Sequence, residues 1–124
     1  MARYEHLPIF KQVYDLTLEM DRRVHQFSRY HKYSIGSDLR QCCRELLGLV
    51  IKANNIWKKE PVLLEIRWRT EYLKTLLRLA FESGAFPAGK KGYLFLAEKA
   101  VDAARQNEGW IKGMKGSGGS PKQP

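Results

Sequence analysis

Arg67, Lys74 and Arg78 fall within one narrow arc when successive residues are turned by about 100° around a helix axis. Only Glu71 lies between them, and Trp68 and Arg69 flank the arc. A row of cations about 10–17 Å long, at about 1.5 Å per residue, suits a phosphate backbone. Arginine adds bidentate phosphate contacts and stacking on bases. The same spacing also describes a solvated face on which Glu71 bridges Arg67 and Lys74. A second group, Arg29-Tyr30-His31-Lys32-Tyr33, interleaves cations with aromatic rings, the combination that holds single-stranded nucleic acid. Its plainer use is to pack a tyrosine over the end of a helical domain. Arg40, Arg44 and Lys52 form a third set of candidates for nucleic-acid or partner-protein binding.

Other chemistries find little support. His6, His25 and His31 lack the spacing of a helical metal pair, and neither HExxH nor CxxC occurs. The carboxylates lack the Glu-x-x-His pairs of di-iron bundles. The glycines between Gly116 and Gly119 do not follow a strand or precede a helix, so they are no phosphate loop. No nucleophile–base arrangement stands out. The expectation is a protein without catalytic residues, bound metal or cofactor.

The charge balance points the same way. The chain of 124 residues carries a formal net charge of +9, a field that favours polyanions. The surplus is uneven. Residues 27–59 hold seven basic residues against two acidic ones, Asp38 and Glu45. Residues 60–84 hold four of each sign, so their cations matter by arrangement and not by excess.

Four helices must position these groups. The first is expected from Pro8 to about Gln26, with Phe10, Val13, Thr17, Met20, Val24 and Phe27 inward and a Glu19–Arg23 pair outside. Residues 28–34 read as a loop that Ser34 closes as N-cap of the second helix, with Ser37 as the competing cap. Gly36, in that helix's first turn, permits close approach by another segment. The second helix runs to about Lys59 and carries two apolar seams: Ile35, Leu39, Cys42, Leu46, Leu49, Ala53 and Ile56 in one, Cys43, Leu47, Val50, Asn54 and Trp57 in the other. Two seams make a wide face, as a bundle core requires, with surplus for an oligomer. The third helix spans Pro61 to about Ser83 with Gly84 as its stop, and the fourth Lys90 to about Lys112. The fourth helix's inward stripe is Tyr93, Ala97, Ala100, Ala104 and Ile111, supported by Leu96 and Val101.

The expected fold is thus all-α, an up-down-up-down four-helix bundle over residues 8–113. Residues 1–7 form an N-terminal arm and residues 114–124 a flexible Gly/Ser-rich tail. Cys42 and Cys43 are helical neighbours pointing about 100° apart, which opposes a mutual disulfide. They read as small buried residues of a reducing compartment. The longest strongly apolar run in the second helix, Leu46–Ile51, is far short of a membrane span, and no secretory signal opens the chain. Cytoplasmic location and no membrane partner are expected. Trp57, Trp68 and Trp110 lie near helix ends or off the main stripes, where tryptophan is either core or subunit-interface anchor.

These motifs carry a resemblance. Phe27-Ser28-Arg29 and Lys32-Tyr33-Ser34-Ile35-Gly36 precede a helix with Leu39, Leu46, Leu47 and Ala53-Asn54. Leu73-Lys74-Thr75-Leu76-Leu77-Arg78-Leu79-Ala80 follows on the third helix and Gly109-Trp110 on the fourth. In order and spacing, residues 8–113 resemble the four-helix-bundle accessory variability determinants of diversity-generating retroelements. Small proteins encoded in intervening sequences of large-subunit ribosomal RNA genes are relatives of that family. Ser28 departs from the proline common there. The resemblance implies a non-catalytic homo-oligomeric ring, a homopentamer, that binds the element's reverse transcriptase and template-repeat RNA during mutagenic cDNA synthesis. DNA is a further candidate ligand. The ribosomal-insert relatives imply the alternative, a protein–protein interaction module that binds no nucleic acid.

Overall fold

The structure, a computed structural model, describes residues 6–116, with side chains through Met114. Four long helices make up the described chain: α1 (Pro8–His25), α3 (Ile35–Asn55), α4 (Glu60–Glu82) and α5 (Lys90–Gly116). A single-turn helix, α2 (Arg29–Lys32), lies between α1 and α3. α1 packs chiefly on α3 and α5, and α4 on the same two helices, so the four form a closed square with α2 resting on α3. Side-chain ties give the directions. Arg40 and Arg44, early in α3, reach Asp21 late in α1. Asn107, late in α5, reaches Leu63 early in α4, and Arg23, late in α1, lies over Phe95 early in α5. Neighbouring helices are antiparallel, which makes the fold an up-down-up-down four-helix bundle. No described helix is long and apolar enough to cross a membrane.

One core cluster runs the length of the square, and its fully buried leucines, Leu16, Leu39, Leu46, Leu63, Leu73, Leu77 and Leu96, come from all four long helices. Each contributes about 1.5–3 kcal/mol by leaving water. In α1 the buried positions are Ile9, Val13, Leu16, Met20, Val24 and, just beyond its end, Phe27. Phe10 and Thr17, expected inward, are half-buried beside them. In α5 the buried line is Leu96, Ala100, Ala103, Asn107 and Ile111, while Ala97 and Ala104 lie at its edge. Asn107 is fully buried and donates to the Leu63 carbonyl at 2.9 Å, so its amide joins the apolar stripe. Cys42 and Cys43 are free and buried, as expected.

The helix ends differ from expectation in instructive ways. α3 stops at Asn55, short of the anticipated Lys59. Lys59 folds back instead, and its Nζ donates to the carbonyls of Ala53, Asn54 and Ile56 at 2.7, 3.3 and 3.0 Å. A lysine thus takes up carbonyls that a helix end leaves open. Burial of that ammonium lowers its pKa below the ordinary lysine range. α4 ends in a Schellman motif: Gly84 adopts φ 83°, with Ala85 N–H donating to Ala80 O and Gly84 N–H to Phe81 O. α5 continues to Gly116, beyond the expected Lys112, so residues 114–116 are helical and not tail. The rest of the anticipated tail, from 117, and residues 1–5 of the arm lie outside the described residues.

Candidate nucleic-acid interface

Residues 28–34, read from the sequence as a loop, contain the α2 turn. Ser28 starts it: its extended backbone and its Oγ, accepting from His31 N at a long 3.5 Å, form an N-cap that proline cannot supply. Ser34 is not the side-chain cap expected for α3. Its Oγ turns back and donates to the Tyr30 carbonyl at 2.7 Å, while its own carbonyl receives the N–H groups of Ser37 and Asp38. Gly36 explains why the turn sits so close. A Cβ there would stand 2.7 Å from Val24 Cγ1 and 2.9 Å from the His31 carbonyl. Only a missing side chain lets α3 begin directly beneath the end of α1 and the backbone of α2.

This seating displays the aromatic residues. Tyr30 and Tyr33 share one face of the turn and are 78% and 69% exposed. Tyr30 meets the His31 ring edge-on at 5.0 Å between centroids. Tyrosine packed over the bundle end is therefore not what the turn provides. Arg29 is exposed and Lys32 half-buried, and neither has an ion-pair partner among the described residues. Lys52, on the outer side of α3, is likewise exposed and unpaired. Arg40 and Arg44 share the single carboxylate of Asp21, at 3.8 and 4.0 Å, so the trio keeps one net positive charge.

The row on α4 is differently arranged. Arg67 makes a bidentate contact with Glu108 of α5, at 2.7 and 2.8 Å. Lys74 pairs with Glu71 at 2.7 Å and Arg78 with Glu82 at 3.0 Å. Hydrogen bonds from Arg67 to Glu108 and from Arg78 to Glu82 raise both guanidinium pKa values further, with Coulomb attraction second. Glu71 does not bridge Arg67 and Lys74. Arg69 points to the other side, towards α3, against Glu45 at 2.8 Å and Glu65 at 3.6 Å. Its Nε is buried without a partner. Arg69 is thus a tie between α3 and α4 and stands apart from the row. The anticipated Glu19–Arg23 pair is also replaced. Arg22 takes Glu19, and Arg23 lies over the Phe95 ring at 4.7 Å.

The tryptophans separate into two kinds. Trp57 and Trp68 are 60% and 59% exposed, whereas Trp110 is half-buried against the core and shares a surface cleft with Leu7, Pro8 and Ile9. Trp68 stacks on Tyr72, at 6.2 Å and 17°, within an exposed stripe that also holds Leu64 and Leu79. Spacings of four, four and seven put this stripe on the outside of α4.

Comparison with models of protein families, with curated proteins and with solved structures finds no match. The chemistry available is therefore read from this chain alone. Burial raises Cys42 to about 11 and Cys43 further still, so both thiols stay protonated and unreactive at neutral pH. No cluster of three or more His, Cys, Asp or Glu side chains suited to a metal occurs among the described residues. What the described surface offers is unpaired cations beside exposed aromatic rings. Sequence reasoning found those cations but missed two things. It missed Lys59, whose contacts depend on where α3 ends. It also missed a cleft of about 380 Å3 where Tyr30, Tyr33, Ser37 and Asp38 meet Leu79 and Ser83. Leu79 and Ser83 are more than 40 positions away in sequence, so no local signal marks the cleft.

Proposed function

We propose that this chain is a non-catalytic accessory protein of a diversity-generating retroelement, binding reverse transcriptase and template RNA through its basic surface to support mutagenic cDNA synthesis in the cytoplasm. One observation carries the nucleic-acid half of this proposal. Arg29, Lys32 and Lys52 have no carboxylate partner among the described residues, and two exposed tyrosines stand beside the first two. Unpaired cations gain most from a phosphate, because no existing contact is lost. The α4 row, which faces α5, and Arg40 and Arg44, which face α1, add positive groups on other sides of the bundle with smaller individual contributions, since a phosphate must displace a carboxylate worth about 0–1 kcal/mol at an exposed pair. The order of motifs across residues 8–113 supports the retroelement assignment. We further propose that copies assemble into a ring, a homopentamer, with Trp57 and Trp68 at subunit contacts. Trp110, half-buried against the core of its own subunit, has the smaller part in them.

The alternative is a ribosomal-insert-type module that contacts only proteins. The exposed Leu64–Trp68–Tyr72–Leu79 stripe favours it, because contiguous apolar surface marks protein contacts. Purified chain titrated with single-stranded RNA at low and moderate salt separates the two. Salt-sensitive binding, a reverse-transcriptase gene beside paired repeats, and a five-subunit mass in solution support the accessory protein. Absence of RNA binding at low salt supports the protein-only module.

A further inference from the structure

We infer that the cleft between α2, the first turn of α3 and the end of α4 is a subsite for one unstacked guanine of a single-stranded RNA. The inference rests on the RNA-binding proposal and adds base identity to it. At about 380 Å3 the cleft is an open surface depression with room for a single base. Tyr30, Tyr33 and Leu79 give it flat or apolar walls, and base-on-aromatic stacking is the usual hold on an unpaired base. Arg29 and Lys32, on the same helical turn, supply the phosphate contact.

Asp38 decides which base. It lies in the most basic segment of the chain, and its carboxylate has neither cation nor hydrogen-bond donor among the described residues. The other acidic residue of that segment, Glu45, is held by Arg69 and Gln41. A carboxylate that only repels phosphate is a poor component of a plain phosphate site. It suits the edge of guanine, which presents N1–H and N2–H side by side for two parallel hydrogen bonds to one carboxylate. The neighbouring Ser37 hydroxyl, with no hydrogen bond of its own among the described residues, matches guanine O6 as donor. Adenine and cytosine offer one amino group beside an acceptor, and uracil places its N–H between two carbonyls. Favourable placement of Asp38 near the α3 N-terminus accounts for stability alone and gives no base preference.

The test uses the full chain and uridine-rich RNAs of about ten nucleotides carrying one central guanine, adenine or abasic position, read by fluorescence anisotropy. The guanine strand is expected to bind about 10-fold tighter than the abasic one. Asp38→Asn should erase the preference for guanine over adenine, while the lost negative charge raises the affinity of all three strands by a common factor. The double variant Tyr30→Ala/Tyr33→Ala should lose about 10-fold on the guanine strand, bringing it level with the abasic one, and should remove any stacking gain of the adenine strand as well. Equal binding of all three strands, or a guanine preference that survives Asp38→Asn, overturns the subsite. If no strand binds at low salt, the RNA-binding proposal fails by itself, and titration with guanosine monophosphate then decides on the cleft. Shifts of the Tyr30 and Tyr33 ring resonances with guanosine but not adenosine monophosphate retain it, and their absence removes it.

Discussion

The α4 row and the α2–α3 surface carry the same kinds of side chain and behave differently. On α4 every cation of the row holds a carboxylate: Arg67 on Glu108, Lys74 on Glu71 and Arg78 on Glu82. On α2 and the outer side of α3, Arg29, Lys32 and Lys52 hold none among the described residues. Charge spacing along one helix predicts a row. Two of the carboxylates, Glu71 and Glu82, belong to α4 itself, and the third, Glu108, is brought by α5. Available positive potential therefore lies on the α1–α3 connection, with Arg29 and Lys32, and separately in the last turn of α3, with Lys52, and less where the cations are best aligned.

Neutralisation of each group tests this contrast with the largest effect. Replacing Arg29, Lys32 and Lys52 together by glutamine is expected to weaken binding of single-stranded RNA by about 10- to 100-fold at moderate salt. It should also reduce the salt slope by about 2, at roughly 0.7 per phosphate contact. The matching triple of Arg67, Lys74 and Arg78 should lose several-fold less in the same anisotropy titration. Equal losses would erase the distinction between the two regions.

The next effect concerns how the α2 turn is held. Gly36→Ala forces a Cβ onto Val24 and onto a backbone carbonyl, and should cost about 1–3 kcal/mol in urea denaturation. Gly48→Ala, where a Cβ meets nothing within 4 Å, should stabilise by about 0.5–1 kcal/mol. A Gly36 variant as stable as the parent would mean that α2 is not seated as described.

A smaller change sharpens the comparison from the paired side. Glu108→Gln leaves Arg67 without its bidentate carboxylate, and RNA affinity should rise by about two- to fivefold. No gain would remove pairing as the reason for the difference.

Much of this was legible in the sequence. Three- and four-residue spacings located the four long helices, and Gly36 and Gly84 announced a close approach and a helix stop that the structure contains. Two inward stripes were misjudged for a physical reason. In α5 the buried line passes through Asn107, and a polar amide conceals an inward position until its carbonyl partner on α4 is known. In α1, Ile9 and Leu16 compete with Phe10 and Thr17 one place along, and hydrophobicity alone does not choose between them. Candidate cations were legible by type. Partners within one turn, Glu71 for Lys74 and Glu82 for Arg78, lie in plain view, but those of Arg67 and Arg69 do not, because Glu108 is 41 positions from Arg67 and Glu45 is 24 from Arg69.

The thiols should matter least to RNA binding. At pH 8 neither Cys42 nor Cys43 should react with an alkylating reagent in the folded chain, and both should react on unfolding. Because burial raises their pKa values, the unfolded chain releases those protons first. Their contribution to stability is therefore complete below the ordinary thiol value of about 8.5 and declines as pH rises towards 11. Denaturation midpoints across pH 7–11 report that decline, and a midpoint that rises with pH would oppose it.

The central claim is that a rigid helical platform presents unpaired cations to phosphates. Affinity of the full chain for a short single-stranded RNA, followed across salt concentration, tests it most directly. The expected result is a linear fall of log affinity with log salt, with a slope that drops when Arg29, Lys32 and Lys52 are neutralised. Binding that ignores salt, or no binding in dilute buffer, would contradict the claim.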